Sequence, residues 1–354
     1  MKIIISGGGT GGHIYPAIAI ADAVKARIPE AEILFVGAEG KMEMEKVPKA
    51  GYPIEGLPIA GINRQNWMAN LGFPVKLVQS IWKAWKIVRN FRPDAVVGVG
   101  GYASGPTLWC AGRLGIPTLI QEQNSFAGKT NQWLAGKAKR ICVAYPNMER
   151  FFPSDRILFT GNPVRADICK QLPEMASARR HFGLHPERPT VLVIGGSQGA
   201  RSINLGVEKY LSTILSAGYQ VIWQTGKSFS APPTTEGVYV SPFIYDMAQA
   251  YAAADVVISR AGALSVSELC IVQKPAILVP FPHAAEDHQT ENARALVQAD
   301  AAVLIKDADV QGQLWEQLNH VLTDPALRAR LSNQMKSFAK PQAAATIADE
   351  IIRL

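Results

Sequence analysis

Short runs of aliphatic and β-branched residues alternate with longer amphipathic stretches along most of the chain. In the first half, such runs predict strands at residues 3–5, 31–37, 95–99, 117–121, 141–144 and 157–160. In the second half, they predict strands at 190–194, 221–224, 238–240, 256–258 and 276–279. Continuous apolar runs separated by helical patterns are typical of buried parallel strands joined by crossover helices. The pattern therefore predicts an α/β fold.

Apolar residues at helical spacing predict the longest helices, at residues 71–92, 311–336 (a pair around Pro325) and 343–354. The polar segment 283–292 predicts a loop, whereas residues 38–62 are mixed, with turn signals at Gly40, residues 51–53 and Gly61. Residues 166–189 are polar and contain three prolines, so we expect a linker with one helix there.

The first predicted strand runs into a glycine-rich loop, Gly-Gly-Gly-Thr-Gly-Gly-His at residues 7–13, and Pro16 suits the first turn of the following helix. Such a loop at a helix N-terminus binds phosphate, because backbone N–H groups and the positive end of the helix dipole face the ligand. The Gly-x-Gly-x-x-Gly spacing also matches the dinucleotide fingerprint, with Glu39 as its ribose-binding acid. An NAD-dependent oxidoreductase is therefore one hypothesis.

The motif of strand, glycine loop and helix occurs again at residues 190–205, where the loop is Gly-Gly-Ser-Gln-Gly. Two such units predict two Rossmann-like domains that face a central cleft. We expect the first domain at residues 1–164, with residues 341–354 packed back on it, and the second at residues 165–340. The hydroxyl of Ser197 and the amides of the second loop suit a diphosphate.

Two ionisable residues are candidates for chemistry on a nucleotide sugar. His13 stands where a helix should begin, and a neutral imidazole there can act as a general base; the alternative is a helix-cap residue. Glu268 follows the segment Arg-Ala-Gly-Ala-Leu-Ser-Val-Ser, and its carboxylate can accept both hydroxyls of a ribose. The alternative is a first-turn glutamate that favours the helix dipole.

The polar loop predicted at residues 283–292 offers two kinds of ligand group. His283, Glu286 and His288 could bind a metal, but their spacing matches no closed ligand set. The amides of Gln289 and Asn292 suit sugar hydroxyls better, because each amide both donates and accepts hydrogen bonds. We therefore predict neither a metal nor another cofactor.

Composition limits the class of protein. The 354 residues are 48% hydrophobic, enough for two globular domains. No apolar run reaches the roughly 18 residues of a spanning helix, and glycines interrupt the first apolar run too early for a signal peptide. The four cysteines form no Cys-x-x-Cys pair, which favours a reducing, cytoplasmic setting.

Basic residues concentrate in the first half. The whole chain has a net charge of +7, and residues 1–160 contain 19 basic and 11 acidic residues. Between Glu55 and Asp94 there are six basic residues and no acidic one. Tryptophans and aliphatic residues at 67–92 accompany this charge, which predicts either an interfacial patch for an anionic membrane or a buried helix face with a basic side. No nucleic-acid-binding motif accompanies the charge, so we expect no nucleic-acid partner.

Seven motifs occur together in an order that resembles one family. They lie at residues 7–13 with Pro16, 98–102, 122–124, 161–165, 195–200, 263–268 and 287–292. Over nearly its whole length the chain resembles the MurG family of bacterial N-acetylglucosaminyltransferases, which make lipid II for peptidoglycan. One segment departs from the family pattern, because residues 37–43 lack the Gly-Leu-Glu spelling that many members show.

The resemblance implies a GT-B fold, UDP-N-acetylglucosamine as donor, and lipid I, an undecaprenyl-diphosphate-linked N-acetylmuramoyl pentapeptide, as acceptor. The acceptor 4-hydroxyl would attack the anomeric carbon with inversion, giving a β-1,4 bond and UDP. His13 is the candidate catalytic base. The substrate-binding positions carried over from the family are Thr10, Gly11, Gly12, Asn124, Arg165, Ser197, Ile244, Ala263, Leu264, Ser265, Val266, Ser267, Glu268 and Gln289.

The resemblance also implies a peripheral location on the cytoplasmic face of the cell membrane. An anionic membrane surface and other cell-wall synthesis proteins are the implied partners, with roles in cell shape and division. The residues alone leave two other classes open. An NAD-dependent oxidoreductase would bind a nicotinamide cofactor, whereas a non-catalytic nucleotide-sugar binding protein would bind the donor without releasing UDP.

Overall fold

A computed structural model describes residues 1–59, 72–196, 198–230, 235–284 and 287–354 of the chain. These residues form two compact units, Met1–Arg165 with Lys340–Leu354, and Ala166–Ala339. Ser197, Glu286 and residues 67–71 of the predicted basic patch lie outside the described residues. No helix in the described ranges is both long enough and apolar enough to cross a membrane.

The first unit contains a parallel sheet with the strand order β3-β2-β1-β4-β5-β6-β7. Its strands are β1 (Lys2–Ser6), β2 (Glu32–Ala38), β3 (Ile54–Leu57), β4 (Ala95–Gly98), β5 (Thr118–Glu122), β6 (Arg140–Val143) and β7 (Ile157–Phe159). Its helices are α1 (Gly11–Arg27), α2 (Glu43–Lys49), α3 (Phe73–Phe91), α4 (Ser104–Arg113), α5 (Lys129–Ala135) and the C-terminal α13 (Ala343–Ile352). In the sheet register, Ile4 lies between Leu34 of β2 and Val96 of β4.

The second unit contains a parallel sheet with the strand order β10-β9-β8-β11-β12-β13. Its strands are β8 (Thr190–Ile194), β9 (Gln220–Gln224), β10 (Val238–Ser241), β11 (Val256–Ser259), β12 (Ala276–Leu278) and β13 (Val303–Leu304). Its helices are α6 (Met175–His181), α7 (Arg201–Ser216), α8 (Met247–Ala253), α9 (Ala263–Val272), α10 (His288–Val297), α11 (Val310–Thr323) and α12 (Pro325–Phe338).

The winding direction reverses once in each sheet. In the first unit the chain winds outward from β1 to β3 and then crosses to β4 on the other side of β1. In the second unit the chain winds from β8 to β10 and then crosses to β11. Open α/β sheets bind ligands at this switch point, outside the carboxyl ends of the strands. Both glycine loops therefore lie where the topology favours a ligand site.

The C-terminal helix completes the core of the first unit. Ile347 and Ile351 are fully buried in the same apolar cluster as Ile20 of α1. At the edge of this contact, Arg27 Nη2 donates to Asp349 Oδ2 over 3.1 Å. The apolar residues at helical spacing in the last segment thus explain why the chain returns to the first unit.

The α/β fold class is confirmed, and two local predictions are wrong. The mixed segment 38–62, whose turn signals predicted neither a helix nor a strand, contains α2 and β3 within its described residues. Helix α10 begins at His288, inside the predicted polar loop, because its buried anchors, Ala293 and Leu296, lie beyond that segment. Pro16 is the sixth residue of α1 and not in its first turn, since the helix already begins at Gly11.

Candidate active site

The candidate site of the first unit lies at the carboxyl ends of β1 and β4, where two glycine loops pack against each other. Gly101 has a φ of +86°, and a Cβ on it would lie 2.4 Å from the carbonyl oxygen of Gly8. A Cβ on Gly7 would lie 2.3 Å from Cγ2 of Val99. Any larger residue would force the loops apart, so glycine at these positions permits the contact.

His13 lies where these loops meet and is the third residue of α1. Its Nδ1 is 3.1 Å from Oγ1 of Thr10. The opposite edge of the ring faces Gly100, where a Cβ would lie 2.9 Å from His13 Nε2. Thr10 therefore orients the imidazole, and when Nδ1–H donates to Thr10, the lone pair that accepts a proton is on Nε2.

Asn124 belongs to a loop that the buried Glu122 organises. The Glu122 carboxylate accepts hydrogen bonds from the backbone N–H groups of Asn124 and Gly128, each over 3.0 Å, and from Nδ2 of Asn131 over 2.8 Å. Burial raises the pKa of Glu122 above its usual range, although these hydrogen bonds act in the opposite direction. The loop thus holds Asn124 next to the end of β5.

Asn131 is a candidate site residue that sequence reasoning missed. Its side chain is 2% exposed, and Oδ1 has no hydrogen-bond partner among the described residues. A Cβ on Gly100 would lie 3.8 Å from Asn131 Nδ2, so the side chain neighbours the same glycine as His13. A buried acceptor without a partner suits a donor group supplied by a ligand. An isolated asparagine in a polar helix gives no such signal in the sequence.

Arg165 ends the first unit and follows a motif that a buried amide network holds. Gln121 Nε2 donates to Asn162 Oδ1 over 3.1 Å, and Asn162 Nδ2 donates to the carbonyl oxygen of Gln123 over 3.0 Å. Gly161 has a φ of +84°, and a Cβ on it would lie 2.3 Å from Cβ of Lys340. The backbone that leads to Arg165 is therefore fixed against the end of β5.

The candidate site of the second unit lies at the carboxyl ends of β8 and β11. Gln224 Nε2 donates to the carbonyl oxygen of Gly196 over 2.9 Å, and Gln224 Oε1 accepts the Ile244 N–H over 2.9 Å. One buried side chain thus joins the glycine loop to the segment that carries Ile244. Because the Ile244 N–H already donates to Gln224, a nucleobase at this position would contact the carbonyl oxygen of Ile244.

A buried tyrosine holds the Glu268 carboxylate in place. The hydroxyl of Tyr251, which is fully buried, donates to Glu268 Oε2 over 2.9 Å. Glu268 is the sixth residue of α9, beyond the first turn, so the helix-dipole alternative does not explain its position. A carboxylate fixed in one orientation suits the two hydroxyls of a ribose.

The other predicted residues at the start of α9 contribute in different ways. Val266 is 2% exposed and its side chain belongs to the apolar core. Ser267 Oγ donates to the carbonyl oxygen of Ala263 over 2.9 Å, within the helix. Leu264 and Ser265 are partly exposed. The first backbone amides of a helix lack intrahelical acceptors, so this end of α9 suits an anion.

Gln289 and Asn292 lie on α10, where the structure separates their roles. Gln289 Oε1 accepts the Phe281 N–H over 3.0 Å, which leaves the carboxamide NH2 as the group for a sugar hydroxyl. Asn292 is fully buried, and its Nδ2 donates to the carbonyl oxygen of Ala261 over 3.3 Å. The interpretation of Asn292 as a sugar-binding amide is therefore wrong; its side chain braces the loop before α9.

The acid on which the oxidoreductase interpretation depends has a partner within the protein, and Glu286 of the metal interpretation lies outside the described residues. Glu39 Oε1 accepts a hydrogen bond from Lys83 Nζ over 2.9 Å, so the expected ribose-binding acid is in an ion pair. Across the described ranges, no three His, Cys, Asp or Glu side chains are grouped so that they could hold a metal ion.

Two Rossmann-like units, each with a glycine loop at its switch point, define a glycosyltransferase of the GT-B class. Residues 3–143 match the glycosyltransferase family 28 N-terminal domain, and residues 190–350 match the glycosyltransferase family 28 C-terminal domain. The chain belongs to glycosyltransferase family 28.

Similar proteins cover the whole chain. It is 53% identical over 364 aligned residues to the UDP-N-acetylglucosamine–N-acetylmuramyl-(pentapeptide) pyrophosphoryl-undecaprenol N-acetylglucosamine transferase of Bacteroides thetaiotaomicron, covering 100% of this chain and 98% of the relative. It is 54% identical to the transferase of the same name from Phocaeicola vulgatus, with coverages of 100% and 96%. The crystal structure of Acinetobacter baumannii MurG matches with a TM-score of 0.77 at 29% identity, covering 100% of this chain and 99% of that one. The family resemblance drawn from the motifs is confirmed.

Proposed function

We propose that this protein transfers N-acetylglucosamine from UDP-N-acetylglucosamine to the 4-hydroxyl of the N-acetylmuramic acid in lipid I, forming lipid II and UDP. The observation that carries the proposal is identity of 53% over the full chain to a transferase named for that reaction. The geometry supports the proposal, because the candidate general base His13 and the candidate ribose-binding acid Glu268 each lie near a topological switch point, where α/β sheets bind ligands.

The second unit has residues suited to bind the donor nucleotide and to stabilise UDP as the leaving group. Glu268 would accept the ribose hydroxyls, the Ile244 carbonyl oxygen would meet uracil, and the NH2 of Gln289 would bind a sugar hydroxyl. Negative charge develops on the UDP oxygen as its bond to the anomeric carbon breaks. The N-termini of α7 and α9 would stabilise that charge through their oriented amides.

The first unit has the chemistry for the acceptor. As the acceptor O4 forms its bond to the anomeric carbon, the hydroxyl proton passes to His13 Nε2, and the electrons of the broken bond leave with UDP. Attack from the face opposite UDP inverts the anomeric configuration. Thr10 holds the imidazole in orientation throughout, through the 3.1 Å contact at Nδ1.

A membrane surface is the proposed partner of the first unit, since the lipid of the acceptor stays in the bilayer. Helix α3 exposes Val75, Val78 and Trp82 by 60%, 66% and 69% along one face, and α5 exposes Trp133 by 66%. Lys86 Nζ lies 5.8 Å from the Trp82 ring centroid. Exposed aromatic and aliphatic residues beside cations suit an anionic leaflet.

This surface differs in detail from the helix that sequence spacing predicted. Ala84 and Val88 are fully buried and face the protein core. Lys83 pairs with Glu39 and is therefore a poorer contact for lipid. We propose a peripheral protein on the cytoplasmic face of the membrane that acts in peptidoglycan synthesis, and hence in cell shape and division, beside other cell-wall synthesis proteins.

UDP release tests the proposed reaction. With UDP-N-acetylglucosamine and a lipid I analogue, we expect UDP to appear in step with the disaccharide product, and other UDP-sugars to react far more slowly. Binding of the donor with no UDP release would instead indicate a nucleotide-sugar binding protein. Absorbance changes that depend on NAD, without UDP affinity, would indicate an oxidoreductase.

Replacing His13 by alanine removes the proposed base. We expect kcat to fall by about a hundredfold or more, while the KM for the donor stays within about twofold, because general-base catalysis acts in the transition state. His320→Ala, at an exposed position of α11, is the matched control and should keep the kcat of the unaltered protein. A His13→Ala variant with near-normal kcat would remove His13 from this role.

Replacing Glu268 by alanine removes the proposed ribose contact. We expect UDP affinity, measured by calorimetry, to fall by about 1.5–3 kcal/mol, the usual range for a hydrogen bond to a charged group. Glu291→Gln on α10 changes a partly exposed glutamate that pairs with Arg294, and should leave UDP binding unaltered. Unchanged UDP affinity in Glu268→Ala would contradict the assignment.

Vesicle sedimentation tests the membrane surface. Binding should rise with the phosphatidylglycerol fraction and fall with salt, because cations near an anionic leaflet contribute roughly 1 kcal/mol each. A triple variant, Trp82→Ser with Lys86→Glu and Arg89→Glu, should bind much less than the unaltered protein. Arg330→Glu with Lys336→Glu, at two exposed positions of the second unit, is the charge-matched control. If both variants bind equally well, α3 is not the contact surface.

A further inference from the structure

Glu43 is a buried carboxylate that the proposed chemistry leaves unexplained. It is the first residue of α2, it is 1% exposed, and it lies in the segment 37–43 that departs from the family spelling. A buried carboxylate destabilises a protein unless its oxygens are hydrogen-bonded, so its partners indicate what it is for.

Both oxygens of Glu43 bind backbone amides of other elements. Oε2 accepts the Gly9 N–H over 2.9 Å, and Oε1 accepts the Ala38 N–H over 3.0 Å. A Cβ on Gly8 would lie 2.3 Å from Glu43 Oε1, and a Cβ on Gly37 would lie 2.6 Å from its Cγ. Two glycines thus make room for the carboxylate, which connects the end of β2 to the first glycine loop.

The carboxylate changes what the first glycine loop can bind. A phosphate at a glycine loop is bound through backbone N–H groups, and here a protein carboxylate already takes the N–H of Gly9. Its negative charge also offsets part of the positive potential at the start of α1. The first loop is therefore less suited to a diphosphate than its sequence suggests.

The residue that follows Gly9 connects the carboxylate to the proposed base. The carbonyl oxygen of Thr10 accepts the N–H groups of His13 and Ile14 over 3.1 Å and 3.2 Å, and its hydroxyl contacts His13 Nδ1. An anchored Gly9 therefore fixes both the start of α1 and the orientation of the imidazole.

We propose that Glu43 is a positioning residue for the glycosyl transfer: its carboxylate holds Gly9, and through Thr10 it holds the imidazole of His13 in the orientation that accepts the acceptor proton. This inference rests on the proposed function. On this account the first glycine loop positions His13 for the acceptor, and the second unit binds the diphosphate of the donor.

Kinetics of Glu43→Gln and Glu43→Ala test the proposal. A carboxamide keeps the size but offers only one acceptor oxygen, so one of the two amides loses its partner. We expect kcat to fall tenfold or more in both variants, with the donor KM within twofold. Glu45→Gln, on the same helix at an exposed position that pairs with Lys49, is the matched control and should keep its kcat.

A second measurement does not depend on turnover. The chain has six histidines, so histidine-selective 13C labelling gives six imidazole signals, and His13→Ala identifies one of them. In Glu43→Gln we expect the His13 signal and its titration midpoint to move while the other five stay. A shift in His13 supports the positioning role even if the unaltered protein transfers no sugar, in which case only the proposed function fails.

Three results would overturn the proposal. The first is a Glu43→Gln variant that keeps kcat within twofold and leaves the His13 signal in place. The second is a loss of kcat that matches the loss of folded protein in circular dichroism. The third is a donor KM that rises as much as kcat falls, because the effect would then lie in the second unit.

Discussion

Close contact between the backbones of neighbouring glycine loops is the constraint on which the candidate site of each unit depends. In the first unit the Gly8 carbonyl oxygen lies where a side chain on Gly101 would be, and in the second unit the Thr225 carbonyl oxygen lies 2.1 Å from a Cβ on Gly199. Parallel strands bring these loops to one edge of the sheet, but only residues without a Cβ let them meet. His13 takes its position from the first contact.

The two loops share a topology and differ in the group that holds them. In the first unit Glu43 accepts the N–H of Gly9, so a negative charge is already part of the loop. In the second unit Gln224 Nε2 donates to the carbonyl oxygen of Gly196. This hydrogen bond fixes the loop through the loop's own carbonyl group and adds no charge. An anionic ligand would therefore meet a carboxylate at the first loop and a neutral carboxamide at the second. This difference explains why one fold repeated twice can have two unlike roles.

Much of the fold could be predicted because parallel strands are buried on both faces and leave long apolar runs in the sequence. The candidate base and the ribose-type acid could also be found, since His13 and Glu268 follow glycine-rich turns. The start of α10 at His288 could not be predicted, because the buried apolar residues of this helix, Ala293 and Leu296, lie beyond the polar segment 283–292.

Contacts between distant parts of the chain account for the remaining errors. Asn292 looked like a sugar-binding amide, and its actual partner, Ala261, is 31 residues away. Sequence reasoning assigned no role to Glu43, and its partner Gly9 is 34 residues away. Periodicity and motif spacing carry no information on such pairs, so the role of a polar residue is unknown until its partners are.

Hydrogen–deuterium exchange with and without UDP tests the central claim, that the nucleotide binds the second glycine loop and not the first. We expect UDP to slow exchange in peptides that cover residues 195–200 and 262–268, and to leave residues 7–13 unchanged. Protection of residues 7–13 without protection of residues 195–200 would contradict the claim.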